Sequence, residues 1–397
     1  MRKKPIRVAA SKKGGAFTVL LVLMALVVAS CGGDGATTTT AEPGASPTTE
    51  GSVVTTGATE TTAGSETETT TGSDEEDPLI ELAAAAEAEG GSLEYSFVLG
   101  EEYLGPLVNA FRERFPFAEV NITTGGALQL IEKVLSETQT NNPLTDMIQG
   151  GPLEDAVLCN DESLCYEYSP QGAAEVPEEL RFEGAPFVVP AYFTFHIAYN
   201  TEVVSEEEAP TNLADFAEPE WNGRFGIDLE VIDWFAAELA YYGEEEGLEL
   251  FGRIAANNPV IYSGAQGYEQ LAAGSMPASI NTYSLLLPEY MGAGAPIAVA
   301  QTDHMIALPD EFIGINTTDS PALLELWMEW LFTEEAQNIQ PQSLGKTPVV
   351  PGIPVPDTLA ALSDSCTGDC EIFFGTSENF GDFDTRVEQF QELFVSG

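Results

Sequence analysis

Short apolar runs alternate with stretches of helical periodicity from residue 93 onward, and this alternation predicts strands and helices in turn. Residues 93–99 are a short apolar run that predicts a strand. Residues 103–115 place Leu104, Leu107, Val108 and Phe111 on one helical face before Pro116 ends the pattern. Residues 118–123, 127–137 and 145–149 continue as strand, helix and strand, and a last helix is predicted over 384–394.

Strand–helix alternation of this kind indicates parallel strands joined by right-handed crossovers, so the fold class is α/β. Ligands bind such sheets beyond the carboxyl ends of the strands. The residues at these ends are Glu101 after the first strand, Thr124 and Gly125 after the second, and Gln149 at the end of the third. We therefore expect these four residues on a binding rim.

The first 78 residues have a different pattern and precede the globular part. Residues 1–30 combine six basic residues with a short apolar run, which is typical of an export signal. Small residues precede Cys31 and resemble the lipobox of bacterial lipoproteins, in which the cysteine carries a lipid. Residues 31–78 are rich in Thr, Gly, Ser, Ala and Glu and predict a disordered tether. We expect a lipid-anchored protein on the extracellular face of the cell membrane, or in the periplasm of a two-membrane envelope.

The chain is strongly acidic, with 14 Lys and Arg against 64 Asp and Glu. Removal of residues 1–30 takes away six basic residues and no acid, so the excess of acids increases. This charge disfavours nucleic acid and anionic lipid surfaces as partners, so the lipid is the only expected membrane contact. The acids are dispersed along the sequence, which is typical of a solvated acidic surface.

Four cysteines remain in the globular part, and export permits them to form disulfides. Four cysteines allow three pairings. We predict the local pairing Cys159–Cys165 and Cys366–Cys370, because each would close a short polar loop. A zinc site that uses all four cysteines is the alternative, although no histidine lies near them in the sequence.

Several passages in the same order resemble type II solute-binding proteins of ABC importers. Residues 186–200 resemble the strand that crosses between the two lobes of that family, and residues 210–227 resemble the start of its second lobe. Residues 271–277 and 320–337 are similar to two further family passages, and Pro348 with residues 351–352 matches its closing proline turn. The most similar branch is that of the ferric-ion-binding proteins.

This resemblance implies a two-lobed Venus-flytrap fold with parallel and mixed sheets and a hinge. The first lobe is expected to contain residues 79–194 with 300–350, and the second residues 195–299 with 351–397. The hinge segments are expected near residues 191–198 and 301–307. The resemblance also implies a monomer without enzymatic activity that closes on a small ligand and delivers it to a permease.

The ligand itself stays open between several chemistries. Ferric-ion-binding proteins use a pair of tyrosines, and Tyr283 matches one of them whereas Ser284 replaces the other. His304 is a second candidate metal ligand, with its alternative role a satisfied side chain between the lobes. Iron would be cargo, and no resident cofactor is expected. Trp234 could line the cleft for an organic or cationic ligand or be a core residue, and Tyr192 and Ser263 complete the expected ligand contacts.

An extracellular hydrolase or an adhesin on the same scaffold is the alternative function. The sequence has only two histidines, His196 and His304, and no G-x-S-x-G motif. His196 lies within an apolar strand, where packing is the expected role. A catalytic Ser-His-Asp arrangement is therefore disfavoured.

Overall fold

A computed structural model describes residues 78–98, 100–182 and 184–395 of the chain. The predicted signal peptide, Cys31 and nearly all of the predicted tether lie outside these residues. The helices are α1 Pro78–Glu89, α2 Glu101–Arg114, α3 Ala127–Gln139, α4 Pro152–Glu154, α5 Ile232–Tyr242, α6 Glu244–Ala255, α7 Ala265–Ala272, α8 Leu287–Gly292, α9 Pro321–Trp330, α10 Glu334–Ser343, α11 Asp357–Ser363, α12 Ser377–Phe380 and α13 Phe383–Phe394. The strands are β1 Ser92–Phe97, β2 Glu119–Thr124, β3 Met147–Gly150, β4 Val188–Asn200, β5 Phe225–Asp228, β6 Val260–Tyr262, β7 Ala278–Tyr283, β8 Ile297–Val299, β9 His304–Gly314, β10 Thr347–Pro348 and β11 Glu371–Phe374.

The predicted elements near the amino terminus are confirmed to within two residues at nearly every boundary. The three predicted strands correspond to β1, β2 and β3, and the helices between them correspond to α2 and α3. Strand β1 pairs in parallel with both β2 and β3, so these three strands end at the same edge of the sheet. The predicted last helix corresponds to α13.

The sheet has the strand order β2-β1-β3-β9-β4-β7-β5-β6, and two parts of it have separate hydrophobic cores. We call the part around β1, β2, β3 and β9 the first lobe and the part around β5, β6, β7 and β8 the second lobe. Strand β4 runs through both, because it pairs with β9 as far as Thr194 and with β7 from Phe195 onward. This change of partner lies within the first expected hinge segment.

The carboxyl-terminal segment contacts both lobes. Strand β11 pairs in parallel with β9, and the Phe374 ring lies 5.3 Å from the Tyr192 ring of β4. Helix α13 packs on the second lobe, where the Phe390 ring lies 5.2 Å from the Phe235 ring. The segment therefore crosses the hinge strands before it ends on the second lobe.

Both predicted disulfides are confirmed. Cys159 is bonded to Cys165 and Cys366 to Cys370, with Cα–Cα distances of 5.0 and 5.1 Å. The zinc alternative is therefore wrong. Among the described residues, the helices are all too short or too polar to cross a membrane.

Candidate ligand-binding cleft

The first-lobe rim holds three of the four residues expected there from strand ends. Glu101 begins α2 just after β1 and is exposed, and Thr124 is the exposed last residue of β2. The Gly125 N–H donates to the Phe97 carbonyl at 3.3 Å, which fixes the turn before α3. Because Phe97 and Thr124 are register partners, these residues share one edge of the sheet.

Gln149, the fourth expected rim residue, has its side chain inside the first lobe. Its Nε2 donates to both carboxylate oxygens of Asp310 at 2.8 Å, and its Oε1 accepts from the Tyr95 hydroxyl. Lys346 Nζ lies 2.7 Å from Asp310 Oδ2 in the same buried network. The Gln149 amide group therefore forms its hydrogen bonds with buried side chains in this conformation and not with the cleft.

The second-lobe rim is acidic, which was not predicted from the sequence. Asp228 ends β5, and its carboxylate accepts the N–H groups of Glu230 at 3.0 Å and Gly264 at 3.2 Å. The hydroxyl of Ser263, an expected ligand contact, donates to the Glu230 carboxylate. Two carboxylates thus lie at the start of α7, where a bound anion would meet electrostatic repulsion. The sequence feature that could have indicated this rim is Asp228 at the end of an apolar strand, because ligands bind beyond the carboxyl ends of strands in α/β sheets.

Tyrosines from both lobes lie near these acids. Tyr283 ends β7 with 8 % of its surface exposed, and its ring packs at 5.8–5.9 Å from the Tyr268 and Phe195 rings. Burial raises the pKa of the Tyr283 phenol, and Asp228, Glu230 and Tyr103 raise this pKa further. Tyr103 belongs to α2 of the first lobe and also raises the pKa of Tyr290. Tyr103 is therefore close enough to these two second-lobe tyrosines to act on them electrostatically.

Ser284, which replaces the second family tyrosine, is fully buried. Its hydroxyl accepts the Thr194 N–H at 3.2 Å, and its own N–H donates to the Thr194 carbonyl at 2.9 Å. Ser284 therefore ties β7 to the hinge strand. A phenolate pair at this position is ruled out by the residue itself, and the raised pKa keeps Tyr283 a neutral phenol.

Trp234 and Tyr192 occupy interior positions. Trp234 is 1 % exposed, and its ring meets the Phe251 ring edge-on at 5.6 Å in the second-lobe core. It therefore has the core role, one of the two roles considered for it, and offers no free face for stacking. Tyr192 lies on the hinge strand and is partly buried against Phe374.

His304, expected as a metal ligand or as a satisfied side chain between the lobes, has both ring nitrogens engaged. Nε2 lies 2.8 Å from Glu238 Oε2, Nδ1 lies 2.9 Å from Asp303 Oδ1, and the ring stacks on Tyr241 at 4.0 Å. The side-chain partners of His304 on the second lobe therefore belong to α5, and Tyr283 is not among them. In the part of the chain that the structure describes, no three His, Cys, Asp or Glu residues are arranged to hold a metal ion.

His196 has the packing role expected for it. Its ring nitrogens lie 2.7 Å from the Thr194 hydroxyl and 3.2 Å from the Ser365 hydroxyl. Burial lowers the pKa of His196 to about 3, so the ring is neutral at physiological pH.

The free energy of unfolding is expected to fall as the pH rises from 6 to 8.5. Burial lowers the pKa of His304, but Glu238 and Asp303 outweigh burial and raise it to about 8. A raised histidine pKa stabilises the fold fully below about 6.5, the unfolded value, and this contribution is lost as the pH passes the folded value. Its size is about 1–2 kcal/mol.

Urea titrations at pH 6 and 8.5 measure this difference. His304→Gln should reduce it, whereas Glu220→Gln, which changes an exposed acid, should leave it unchanged. An equal pH difference in the His304→Gln variant and the unaltered chain would contradict the assignment.

The chain is similar in sequence to known extracellular binding proteins. The model of the family described as bacterial extracellular solute-binding protein matches residues 106–364. A probable ABC transporter periplasmic-binding protein of Sinorhizobium fredii is 21% identical over 246 residues, which are 59% of this chain and 68% of that protein.

Solved structures of similar fold cover about three quarters of the chain. Iron-bound HitA from Pseudomonas aeruginosa has a TM-score of 0.65 and 17% identity, with 76% of this chain and 99% of that chain covered. The ferric binding protein from Campylobacter jejuni has a TM-score of 0.63 and 18% identity, with 76% and 99% covered. At such identities the likeness shows the fold, and it confirms the predicted two-lobed α/β architecture.

Proposed function

The chain belongs to the bacterial extracellular solute-binding protein family, and from this premise we propose that it captures a small organic cation while anchored to the membrane through a lipid on Cys31. Relatives of this kind serve ABC transporters as solute-binding components and not as enzymes. The chain is accordingly a binding component that acts outside the cytoplasm with a permease as partner. The lipid anchor rests on the residues before Cys31, and the ligand class rests on the cleft.

The acidic second-lobe rim carries the proposal of a cationic ligand. The exposed Glu230 and the buried Asp228 supply negative charge, and both act electrostatically on the Tyr283 phenol, as does Tyr103. Carboxylates together with aromatic faces bind organic ammonium groups through ion pairs and cation–π contacts. Ser284 stands beside Tyr283 where a second tyrosine would be needed, which favours such contacts over a paired-phenolate site for a hard metal ion.

Seven of the eight basic side chains of the described residues bind groups other than Asp228 and Glu230. Lys346, Lys133, Arg114 and Arg386 pair with the acids Asp310, Glu137, Glu335 and Glu244. Arg112 and Arg181 bond backbone carbonyls, Arg224 lies over the Trp221 ring, and Arg253 is in the last turn of α6. Anion capture through an arginine therefore finds no support at this rim.

A thermal-shift screen of the full chain tests the ligand class. Polyamines, quaternary ammonium compounds and thiamine are compared with ferric citrate, phosphate and sulfate at pH 7. A ligand that binds only the folded chain adds about 2.7 kcal/mol of stability at a hundredfold excess over its Kd. We expect organic cations to raise the melting temperature. A rise with phosphate or sulfate alone would contradict the proposal, and a rise with ferric iron alone would replace the organic cation by a metal cargo.

Asp228→Asn is expected to weaken cation binding at least about tenfold, which corresponds to about 1.4 kcal/mol. The substitution keeps an oxygen that can accept the Gly264 N–H but removes the charge. Burial raises the pKa of Asp228 to about 6, so affinity in the unaltered chain should increase as the pH rises through 6. Isothermal titration calorimetry measures both effects. Glu220→Gln is the matched control, and equal losses in the two variants would contradict a specific role of Asp228.

A further inference from the structure

Four carboxyl groups lie close together just beyond the carboxyl ends of β3 and β5, where the first lobe faces the second. Glu154 in α4, the following Asp155, and Glu311 in β9 belong to the first lobe, and each is at most 2 % exposed. Asp233 belongs to the second lobe, as the second residue of α5. A Cβ placed on Gly151 would lie 3.9 Å from Asp233 Oδ2, so the second-lobe carboxyl lies close to the first-lobe backbone.

The cluster is only partly satisfied by hydrogen bonds. Glu154 Oε2 accepts the Gly151 N–H at 2.9 Å, and Asp155 Oδ2 accepts from the Ser377 hydroxyl. Three oxygens are buried without a hydrogen-bond partner among the described residues: Asp155 Oδ1, Asp233 Oδ1 and Glu311 Oε2. Such atoms are costly as anions, and each is far less costly in a neutral carboxyl.

The groups that act on the cluster from the surrounding elements are themselves acids. Asp155, Glu154, Asp233 and Asp310 all raise the pKa of Glu311, and Glu378 in α12 raises that of Asp155. Lys346, the cation bound to Asp310, is committed to that ion pair. On α5, Glu238 is paired with His304. The cluster therefore has an excess of negative charge whenever its members are ionised.

Four neighbouring carboxylates at a mostly buried place cannot all be charged, because burial and mutual repulsion both favour the neutral form. Burial is the main cause and raises the pKa of Glu154 and Asp233 to about 7 and that of Asp155 to about 6. Binding of protons would remove this excess of negative charge. Ionisation would consequently fall within the physiological pH range.

We propose that Glu154, Asp155, Asp233 and Glu311 form a proton-dependent latch, which holds the lobes together when its carboxyls are protonated and separates them when they ionise. The latch lies on the face where Asp233 of the second lobe meets three first-lobe acids, so its charge acts directly on lobe separation. It depends on the two-lobed fold and not on the identity of the ligand.

The test measures lobe separation without ligand in the full chain. Nitroxide labels on Leu128→Cys in α3 and Ile261→Cys in β6, both exposed positions on opposite lobes, report the distance by double electron–electron resonance. The labelled chain without these two substitutions supplies the background. We expect a short mean distance at pH 5.5 and a shift to a longer one at pH 8.5.

Asp233→Asn should keep the short distance at both pH values, because it removes the charge that faces the first lobe. Glu245→Gln, an exposed acid on α6, should behave as the unaltered chain. Circular dichroism at both pH values verifies that each variant is folded. A distance that does not change with pH, or an Asp233→Asn variant that shifts like the unaltered chain, would overturn the proposal. So would closure by added calcium at pH 8.5, because it would identify a metal ion as the neutralising species.

Discussion

Lys346→Met is expected to lower the free energy of unfolding by about 3–5 kcal/mol. Lys346 and Asp310 are 2 % and 3 % exposed, and their charged atoms lie 2.7 Å apart. Methionine has a similar volume, so the side chain still fills its place, although the cation–π contact of the ammonium group with the Phe97 ring at 5.6 Å is lost. What is lost is the countercharge, and Asp310 would remain as a buried carboxylate held only by Gln149.

Urea denaturation of the variant and the unaltered chain at pH 7 measures this loss. Lys133→Met is the matched control, because Lys133 forms a partly exposed ion pair with Glu137 one helical turn away. Its loss should stay below about 1 kcal/mol. Adding Asp310→Asn to Lys346→Met should recover part of the stability, since it removes the unpaired charge. If both lysine variants lost the same amount of stability, burial of an ion pair would not determine how much the pair contributes to the free energy of unfolding.

Cys31→Ser is expected to release nearly all of the protein from the membrane. The proposed diacylglyceryl group on Cys31 would contribute two acyl chains, and each buried methylene adds about 0.8 kcal/mol of membrane affinity. Serine has no thiol to accept the lipid, and the acidic surface has no electrostatic attraction to anionic headgroups. The protein should therefore move from the membrane fraction to the medium or the periplasm.

Cell fractionation with mass spectrometry of the amino-terminal peptide follows this change. Ser30→Ala keeps a small residue before the cysteine and should leave the protein on the membrane. If Cys31→Ser protein stays in the membrane fraction, then a feature other than the lipid holds it there.

The order of elements in the first lobe was predictable because its hydrophobic periodicity is local. Strands β1 to β3 and helices α2 and α3 each have an unbroken apolar pattern, which Pro116 and the Gly125–Gly126 pair interrupt. The disulfides were predictable for a similar reason, since each joins cysteines that are only 6 or 4 residues apart.

The partners of the polar site residues could not be predicted, because they are far apart along the chain. Gln149 bonds Asp310 across 161 residues, and His304 bonds Glu238 across 66. Such contacts depend on the register between β3, β9 and α5, which sequence periodicity does not specify. The core position of Trp234 could not be predicted either. Its place near the start of a helix suggested a rim position, but how deeply its ring is buried depends on the packing of distant elements.

The two ends of the described chain lie on different lobes, and this has a mechanical consequence. Helix α1, which follows the predicted tether, packs on the first lobe, where the Glu89 carboxylate accepts the Ala322 N–H at 3.1 Å. Helix α13 ends the described chain on the second lobe, where Arg386 pairs with Glu244 at 2.9 Å. A pulling force from the membrane would therefore be borne by the first lobe alone. The second lobe could swing toward its partner or away from it without working against that force.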